Sequence, residues 1–334
     1  MQYQQAFASE IDPYAMGVAH YNHPDVKQIG SVLGIRHVRN NVFKQPMYVH
    51  KGIDLLMAGP PCQPFSFAGN QLNFNDERAK PTIEFFRLFH QWKPKYFLIE
   101  ETPMKKEYMD VFSREFGCEP RVHNSASVSA QNRKRLYWTN IPHDDLPDLG
   151  INLEDILEDE SMTDREKAYC VDANYFKGGS MKMYFEKARR QVVFNRHTQC
   201  KQVGEANLKG YDIIKRVYSR KAKSSGLTTM QGGWRMPKVE DGDLRWRALT
   251  PLECERLQTM PDNYTEIGVF GDEYTIEDEK LISNSRRYKM IGNGWTVDVI
   301  KHILNGIPEQ SLGTVVSLFD GCGCGYQALK GVKR

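Results

Sequence analysis

Met57-Ala58-Gly59-Pro60-Pro61-Cys62-Gln63-Pro64-Phe65-Ser66 constrains this chain more than any other stretch. A mostly apolar run with strand character, Ile53 to Ala58, stops at Gly59 and two prolines, and a cysteine follows at once. Proline fixes φ and restrains the residue before it, so Pro60 and Pro61 should hold Cys62 in one extended, solvent-facing pose. Gly69, Asn70 and Asn75 read as a loop rather than as another element. A thiol on a stiff turn at the carboxyl end of a strand stands where open α/β sheets carry out their chemistry. Free cysteines more often serve as small core residues. The glycine, the prolines and the loop argue against burial, but from these residues alone nucleophile and buried thiol both stay open.

The remaining chain supplies an α/β frame for that turn. Its 334 residues suffice for one large α/β domain with a sizeable insertion, or for two domains. The net charge of +3 allows a nucleic-acid partner without requiring one, because local clustering of Lys and Arg decides. No run of about 18 apolar residues offers a membrane span, and no signal-peptide pattern opens the chain, so a cytoplasmic address is expected. The seven cysteines form no CxxC pair, which indicates neither zinc nor a disulfide framework. Cys322 and Cys324 have no nearby His, so no metal is expected there either.

Ala6 to Asp12 reads as a short buried strand delivering an acid, Glu10, ahead of a helix through Tyr14, Ala15, Val18 and Ala19. Such an acid binds ribose hydroxyls in nucleoside-binding α/β folds; it can equally be a helix-start charge. The strand and glycine turn that should precede it occur at the other end of the chain. Thr314 to Phe319 is a buried strand, Asp320-Gly321-Cys322-Gly323-Cys324-Gly325 a glycine-rich turn, and Tyr326 to Lys330 opens a helix. Between these ends, a helix around Thr82 to Trp92 carries Ile83, Phe86 and Phe89 on one stripe. The strand Lys95 to Glu100 delivers a second acid. Gln131, Arg133 and Arg135 precede the strand Leu136 to Ile141, either as a solvated face or as guanidinium forks for phosphate or base. From about 146 to 245 the pattern degrades into acids, then basic residues interleaved with aromatics, among them Arg189 and Arg190. Thr250, Pro251 and Glu253 mark a capped helix start.

The Gly59 to Ser66 stretch resembles the nucleophile motif of the DNA cytosine-5 methyltransferases, and further motifs of that family follow over most of the chain. Glu100 is similar to its catalytic glutamate, and Gln131-x-Arg133-x-Arg135 to its Q-x-R-x-R. The stretch Ser224 to Trp234, with Thr228, Thr229, Gly232 and Gly233, resembles its target-recognition core. Arg287 to Val297, with Asn293 and Trp295, resembles its last motif, and Phe319-Asp320-Gly321-Cys322-Gly323-Cys324-Gly325 its S-adenosylmethionine loop. In that family the loop lies near the N-terminus and leads into the strand that Glu10 ends. The chain therefore reads as circularly permuted.

The resemblance implies a Rossmann-like methyltransferase sheet from residues 1–145 and 246–334, with a smaller recognition domain over 146–245. It implies Cys62, Glu100, Arg133 and Arg135 as catalytic residues. Phe319, Asp320, Gly321, Gly323, Gly325, Glu10, Ile11, Pro60, Asn293 and Trp295 would hold S-adenosylmethionine. Gln63, Ser66, Gln131, Arg189, Arg190, Thr228, Thr229, Gly232 and Gly233 would bind double-stranded DNA. A monomer is expected in a bacterial cytoplasm, or in that of a phage host, with a cognate restriction endonuclease as a candidate partner. Three positions depart from the family. Ser31 stands where an acid usually holds the adenine amino group, and Glu101 and Thr102 stand for Asn and Val. Glu101 beside Glu100 could raise the catalytic carboxyl by like-charge repulsion, although exposure of Glu101 to solvent is the plainer reading. These departures keep a catalytically impaired DNA-binding relative in view. A tRNA-directed relative lacks its Cys-Phe-Thr signature here, and a Rossmann oxidoreductase would not need Pro-Pro-Cys.

Overall fold

The computed structural model describes residues 1–35, 52–61, 79–159, 161–179, 181–194, 202–205, 216–218, 238–239, 246–271 and 278–332. Seven of its strands form the main sheet. In chain order these are β1 (Gln2–Ser9), β2 (Lys27–Gln28), β3 (Leu55–Ala58), β4 (Tyr96–Glu101), β5 (Arg121–Asn124), then, after the short β6 (Gln131–Asn132), β7 (Lys134–Thr139). The seventh comes last in the chain. It follows β8 (Ala168–Tyr169), β9 (Val192–Phe194), β10 (Gln202–Glu205), β11 (Arg216–Tyr218), β12 (Lys238–Val239), β13 (Trp246–Ala248), β14 (Ile267–Phe270) and β15 (Asp278–Leu281), and is β16 (Ser311–Leu318). The sheet order is β2-β1-β16-β3-β4-β7-β5. The first five run parallel; β7 is antiparallel to β4, and β5 to β7.

Alternation of side chains across the pleat sends successive residues to opposite faces, and helices cover both. Leu55, Met57, Leu98, Tyr137 and Val315 enter one core. It is shared with α7 (Val297–Leu304) and α8 (Cys324–Gly331). Leu56, Ala58, Phe97, Ile99, Leu136, Trp138 and Val316 enter the other. There α2 (Lys80–Trp92) and α3 (Lys106–Phe116) pack aromatic edges on faces, with Phe86 and Phe112 centroids 5.1 Å apart. The stripe expected on α2 is corrected at one position: Ile83 is 47% exposed, and Thr82, Phe85 and Leu88 are buried beside Phe86. The buried face is turned toward the residues one step away from Ile83.

Of the remaining helices, α1 (Pro13–Asn22) starts at Asp12, whose carboxylate accepts from Tyr14 N at 3.0 Å. α4 (Met181–Lys187) lies between β8 and β9 in the chain. α5 (Pro251–Leu257) begins with the expected capping box, Thr250 and Glu253 each accepting from the other's backbone N–H. α6 (Asn284–Asn293) ends beside the parallel strands' carboxyl edge and leads into α7. Among the described residues no helix is long and apolar enough to cross a membrane.

Candidate active site

Four parallel strands end level. Ser9 pairs with Leu318, Leu318 with Ala58, and Ala58 with Ile99. Glu10, the turn Phe319–Gly325 and Gly59-Pro60 therefore leave the sheet along one edge, and Glu100, one residue past Ile99 and still paired with Tyr137, lies at that edge. The two chain ends meet there. Glu10 Oε1 accepts from Ile11 N at 2.7 Å and Asp12 N at 2.9 Å, and Oε2 accepts from Gly321 N at 2.8 Å. The acid of β1 is thus tied to the glycine turn after β16, although 311 residues separate the two in sequence.

That turn carries local strain and an uncompensated carboxyl. Phe319 takes φ +58°, a left-handed conformation costly for an aromatic residue. Asp320 is buried, and neither of its side-chain oxygens has a hydrogen-bond partner among the described residues. Burial, reinforced by the Glu10 charge, pushes Asp320 up to about 7; the adjacent Ser317 hydroxyl pulls the other way. Gly323 (φ +87°) has no room for a side chain, since a Cβ would lie 2.8 Å from His23 Cδ2. His23 Nε2 meets Tyr264 Oη at 2.9 Å, and Tyr264 Oη donates to Cys322 O at 2.9 Å. Burial, then the Lys330 charge, holds His23 down at about 4, so it is neutral. His23 and Tyr264 brace the turn from behind. No motif marked either of them.

On the far side of the edge, Glu100 is buried with Arg135 Nε 3.0 Å from its Oε1. Strand alternation puts Glu101 on the opposite face, level with Ile99 and opposite Leu136 in the helix-covered core. This corrects the expectation of a solvent-facing Glu101: it is 1% exposed, its Oε1 has no partner among the described residues, and Oε2 accepts from Thr102 N at 2.9 Å. Burial, then the Glu100 charge, drives Glu101 well above the usual carboxyl range.

Two more expectations are corrected in this region. Gln131 is fully buried: its amide donates to Leu257 O and Gln258 Oε1 and accepts from Val171 N, so both donors are spent inside the protein. Arg133 is 4% exposed, with Nη1 donating to Val171 O at 3.0 Å and Nη2 to Gly294 O at 2.9 Å. It pins the segment after α6 to that after β8 and is not a free fork for a flipped base. The signal for both lay in their place, where two chain segments must be joined through backbone carbonyls.

A family model of C-5 cytosine-specific DNA methylase matches residues 1–309. The chain belongs to that family. Among its relatives is the type II methyltransferase M.NgoBV of Neisseria gonorrhoeae, 27% identical over 231 residues, which are 62% of this chain and 49% of the relative. Another, M1.ScrFI of Lactococcus lactis subsp. cremoris, is 23% identical over 318 residues, covering 92% of this chain and 72% of the relative. The chain thus spans about half the length of M.NgoBV. A solved structure described as a DNA modification methyltransferase of an E. coli prophage shares 17% identity, with a TM-score of 0.48 over 90% of this chain and 91% of its own. The match to the C-5 cytosine-specific DNA methylase model stops just short of β16.

In this family member Trp295 is wedged between two glycines. A Cβ on Gly59 would lie 2.9 Å from Trp295 Nε1, and one on Gly325 3.2 Å from Cζ3. Trp295 and Pro60 are buried, whereas Asn293 is exposed and Ile11 is 74% exposed. Ser31 accepts from Leu33 N at 3.3 Å, capping a short 3-10 turn. Arg189 is half-exposed and paired with Asp172, Nη2 to Oδ2 at 2.6 Å. Arg190, expected with it at DNA, is buried, at φ +58°. Cys62, Gln63, Ser66, Thr228, Thr229, Gly232 and Gly233 lie outside the described residues.

Proposed function

We propose that this chain is a DNA cytosine-5 methyltransferase that uses S-adenosylmethionine and works through a covalent Cys62 adduct on a flipped cytosine. One observation carries the reading: in a member of the C-5 cytosine-specific DNA methylase family, the Glu10–Gly321 turn, Gly59-Pro60 and the Glu100–Arg135 pair share one sheet edge.

The residues at the turn suit S-adenosylmethionine. Asp320 is a buried carboxyl with no hydrogen-bond partner among the described residues, and the ligand carries an ammonium and a sulfonium; exposed Ile11 offers an apolar face and Asn293 an amide. Phe319, Gly321, Gly323, Gly325, Pro60 and Trp295 would complete that site. When bound, S-adenosylmethionine supplies an electrophilic methyl group.

The protein's own residues prepare the base. A stacked cytosine is out of reach, so the target nucleotide is flipped into the pocket. The Cys62 thiolate adds to C6, forming a C–S bond and turning the ring into an enamine whose C5 is nucleophilic. Glu100, protonated when the base is bound, donates to N3 and accepts from the exocyclic amine as negative charge develops on the ring, and Arg135 holds Glu100 in place. Loss of the C5 proton to a base then expels the thiolate and restores the ring. Residues 146–245 act as the recognition segment, with Thr228, Thr229, Gly232 and Gly233 at its centre and Arg189 on phosphate.

The same reading includes a circular permutation. The family match ends at residue 309, yet β16 is hydrogen-bonded to both β1 and β3 in the catalytic sheet. On this reading a segment at the C-terminus fills the place from which the family's order would begin.

The test is incubation with radiolabelled S-adenosylmethionine and mixed-sequence duplex DNA, with tRNA as competitor and Cys62→Ser as control, followed by mapping of modified bases. Label at C5 of cytosine in DNA, absent with Cys62→Ser, is expected. Label in tRNA only, or full activity of the serine variant, overturns the proposal.

A further inference from the structure

β6 and β8 run parallel with Asn132 opposite Tyr169, so the next residues, Arg133 and Cys170, come together where both strands end. Cys170 Sγ lies 3.3 Å from Arg133 Nη1 and 3.9 Å from Arg135 Nη2. Arg135 Nε lies 3.0 Å from Glu100 Oε1. One guanidinium therefore stands between a carboxylate and a thiol, and the thiol comes from the segment assigned to DNA recognition. We infer that Cys170 is a positioning residue, whose sulfur as thiolate holds Arg135, and through it Glu100, in the pose that meets the target base. This rests on the assignment of Glu100 to that base.

The charges in the cluster favour the thiolate. Glu101 is kept neutral by burial, then by the Glu100 charge. Among the described residues Arg133 and Arg135 then bring two positive charges against the carboxylate of Glu100, and an ionised Cys170 offsets the second in this partly buried group. Burial alone would push the thiol up, but Arg133 and then Arg135 outweigh it and hold Cys170 below its ordinary value. Among the described residues the charged and titratable groups acting on it most are these two arginines, with Glu100 and Tyr137 beyond Arg135; Val171 O, 3.5 Å from Sγ, is the acceptor the thiol form would use. Cys118 provides an internal contrast, since burial and the Glu119 charge push that thiol up against the pull of the Thr139 carbonyl. The arrangement also lets the recognition segment act on the catalytic pair, because displacing Cys170 removes one of the two anions that share Arg135.

Two measurements on the full chain test this. Alkylation by iodoacetamide is followed peptide by peptide across pH by mass spectrometry, for Cys170 and Cys118 in the same sample. Cys170 is expected to react at lower pH than Cys118, and Arg135→Gln to move its curve upward. In steady-state kinetics, Cys170→Ala and Cys170→Ser are expected to lower kcat about tenfold with KM for DNA changed less than about twofold. The ratio of wild-type to serine-variant kcat should grow from about pH 6 to about pH 8.5, because only the wild type ionises there. Cys170 reacting no earlier than Cys118, or a flat ratio with unchanged kcat in the alanine variant, overturns the inference while leaving methyl transfer intact. A wild type that transfers no methyl group to DNA overturns the reaction itself and this inference with it.

Discussion

Asp320 carries a pH dependence whose sign follows from its surroundings. Its folded-state value, about 7, stands above the ordinary 3.8. A raised carboxyl binds its proton more tightly in the folded state, so its contribution to stability is complete below the ordinary value. That contribution is lost as pH rises toward and through about 7. The loss is on the order of 2–4 kcal/mol for a fully buried group. Asp320→Asn removes it, so the variant, denatured by urea without ligand, is expected to gain on the wild type from about pH 4 to about pH 7 and to hold that gain above it. Equal pH slopes for the two proteins would exclude a protonated Asp320. At Cys62 the expected outcome is chemical. Wild type, but not Cys62→Ser, should form a denaturant-stable adduct with DNA carrying 5-fluorocytosine, because fluorine cannot leave as a cation.

At the scale of the element, two local arrangements hold the edge of the sheet in shape. The capping box at Thr250 starts α5, and Arg247 clamps it with 2.8 Å contacts from Nη1 and Nη2 to the two oxygens of Glu253. Thr250→Ala is expected to cost about 1 kcal/mol in chemical denaturation, with methyl transfer unchanged at temperatures where the protein stays folded. The close approach of Gly59 to Trp295 is less forgiving. A methyl group there meets the indole ring, which Gly325 blocks from behind. Gly59→Ala should lower stability by about 1–3 kcal/mol and weaken S-adenosylmethionine binding at least about tenfold in equilibrium dialysis. Binding at wild-type strength would mean that the ring can yield.

At the scale of the whole molecule, the two ends of the chain build one unit. The Met1 ammonium donates to Leu329 O at 2.9 Å and Val332 O at 3.1 Å, at the carboxyl end of α8, where a cation is favoured. β16 has a parallel partner on each side, so deleting residues 311–334 leaves β1 and β3 with unpaired edges in the middle of a buried sheet. That deletion should abolish cooperative unfolding and S-adenosylmethionine binding. Moving the same segment in front of Met1 should preserve both, since the short gap between Val332 and Met1 is all that must be rejoined. Loss of fold in the transplanted chain would refute the permuted reading.

What the amino-acid sequence determined by itself was local and periodic. The strands that end in Glu10, Ala58 and Glu100, the glycine turn after Leu318 and the capped start at Thr250 all follow from apolar runs, turn residues and caps. Their boundaries shift by no more than a few residues in the fold. Adjacency of the two chain ends was also legible, because a strand, a glycine turn and an acid make chemical sense only together. Tertiary structure alone decided which polar side chains are spent inside. Gln131 and Arg133 read as recognition groups from their type, but the backbone carbonyls that consume them come from residues about 38 to 161 positions away. Glu101 turned inward because the strand's alternation placed it under helices that only long-range packing brings there. The meeting of Cys170 with Arg133 and Arg135 likewise depends on the parallel pairing of β6 and β8. Short-range pattern records propensity and punctuation; the partner of a buried charge is set by where distant segments come to rest.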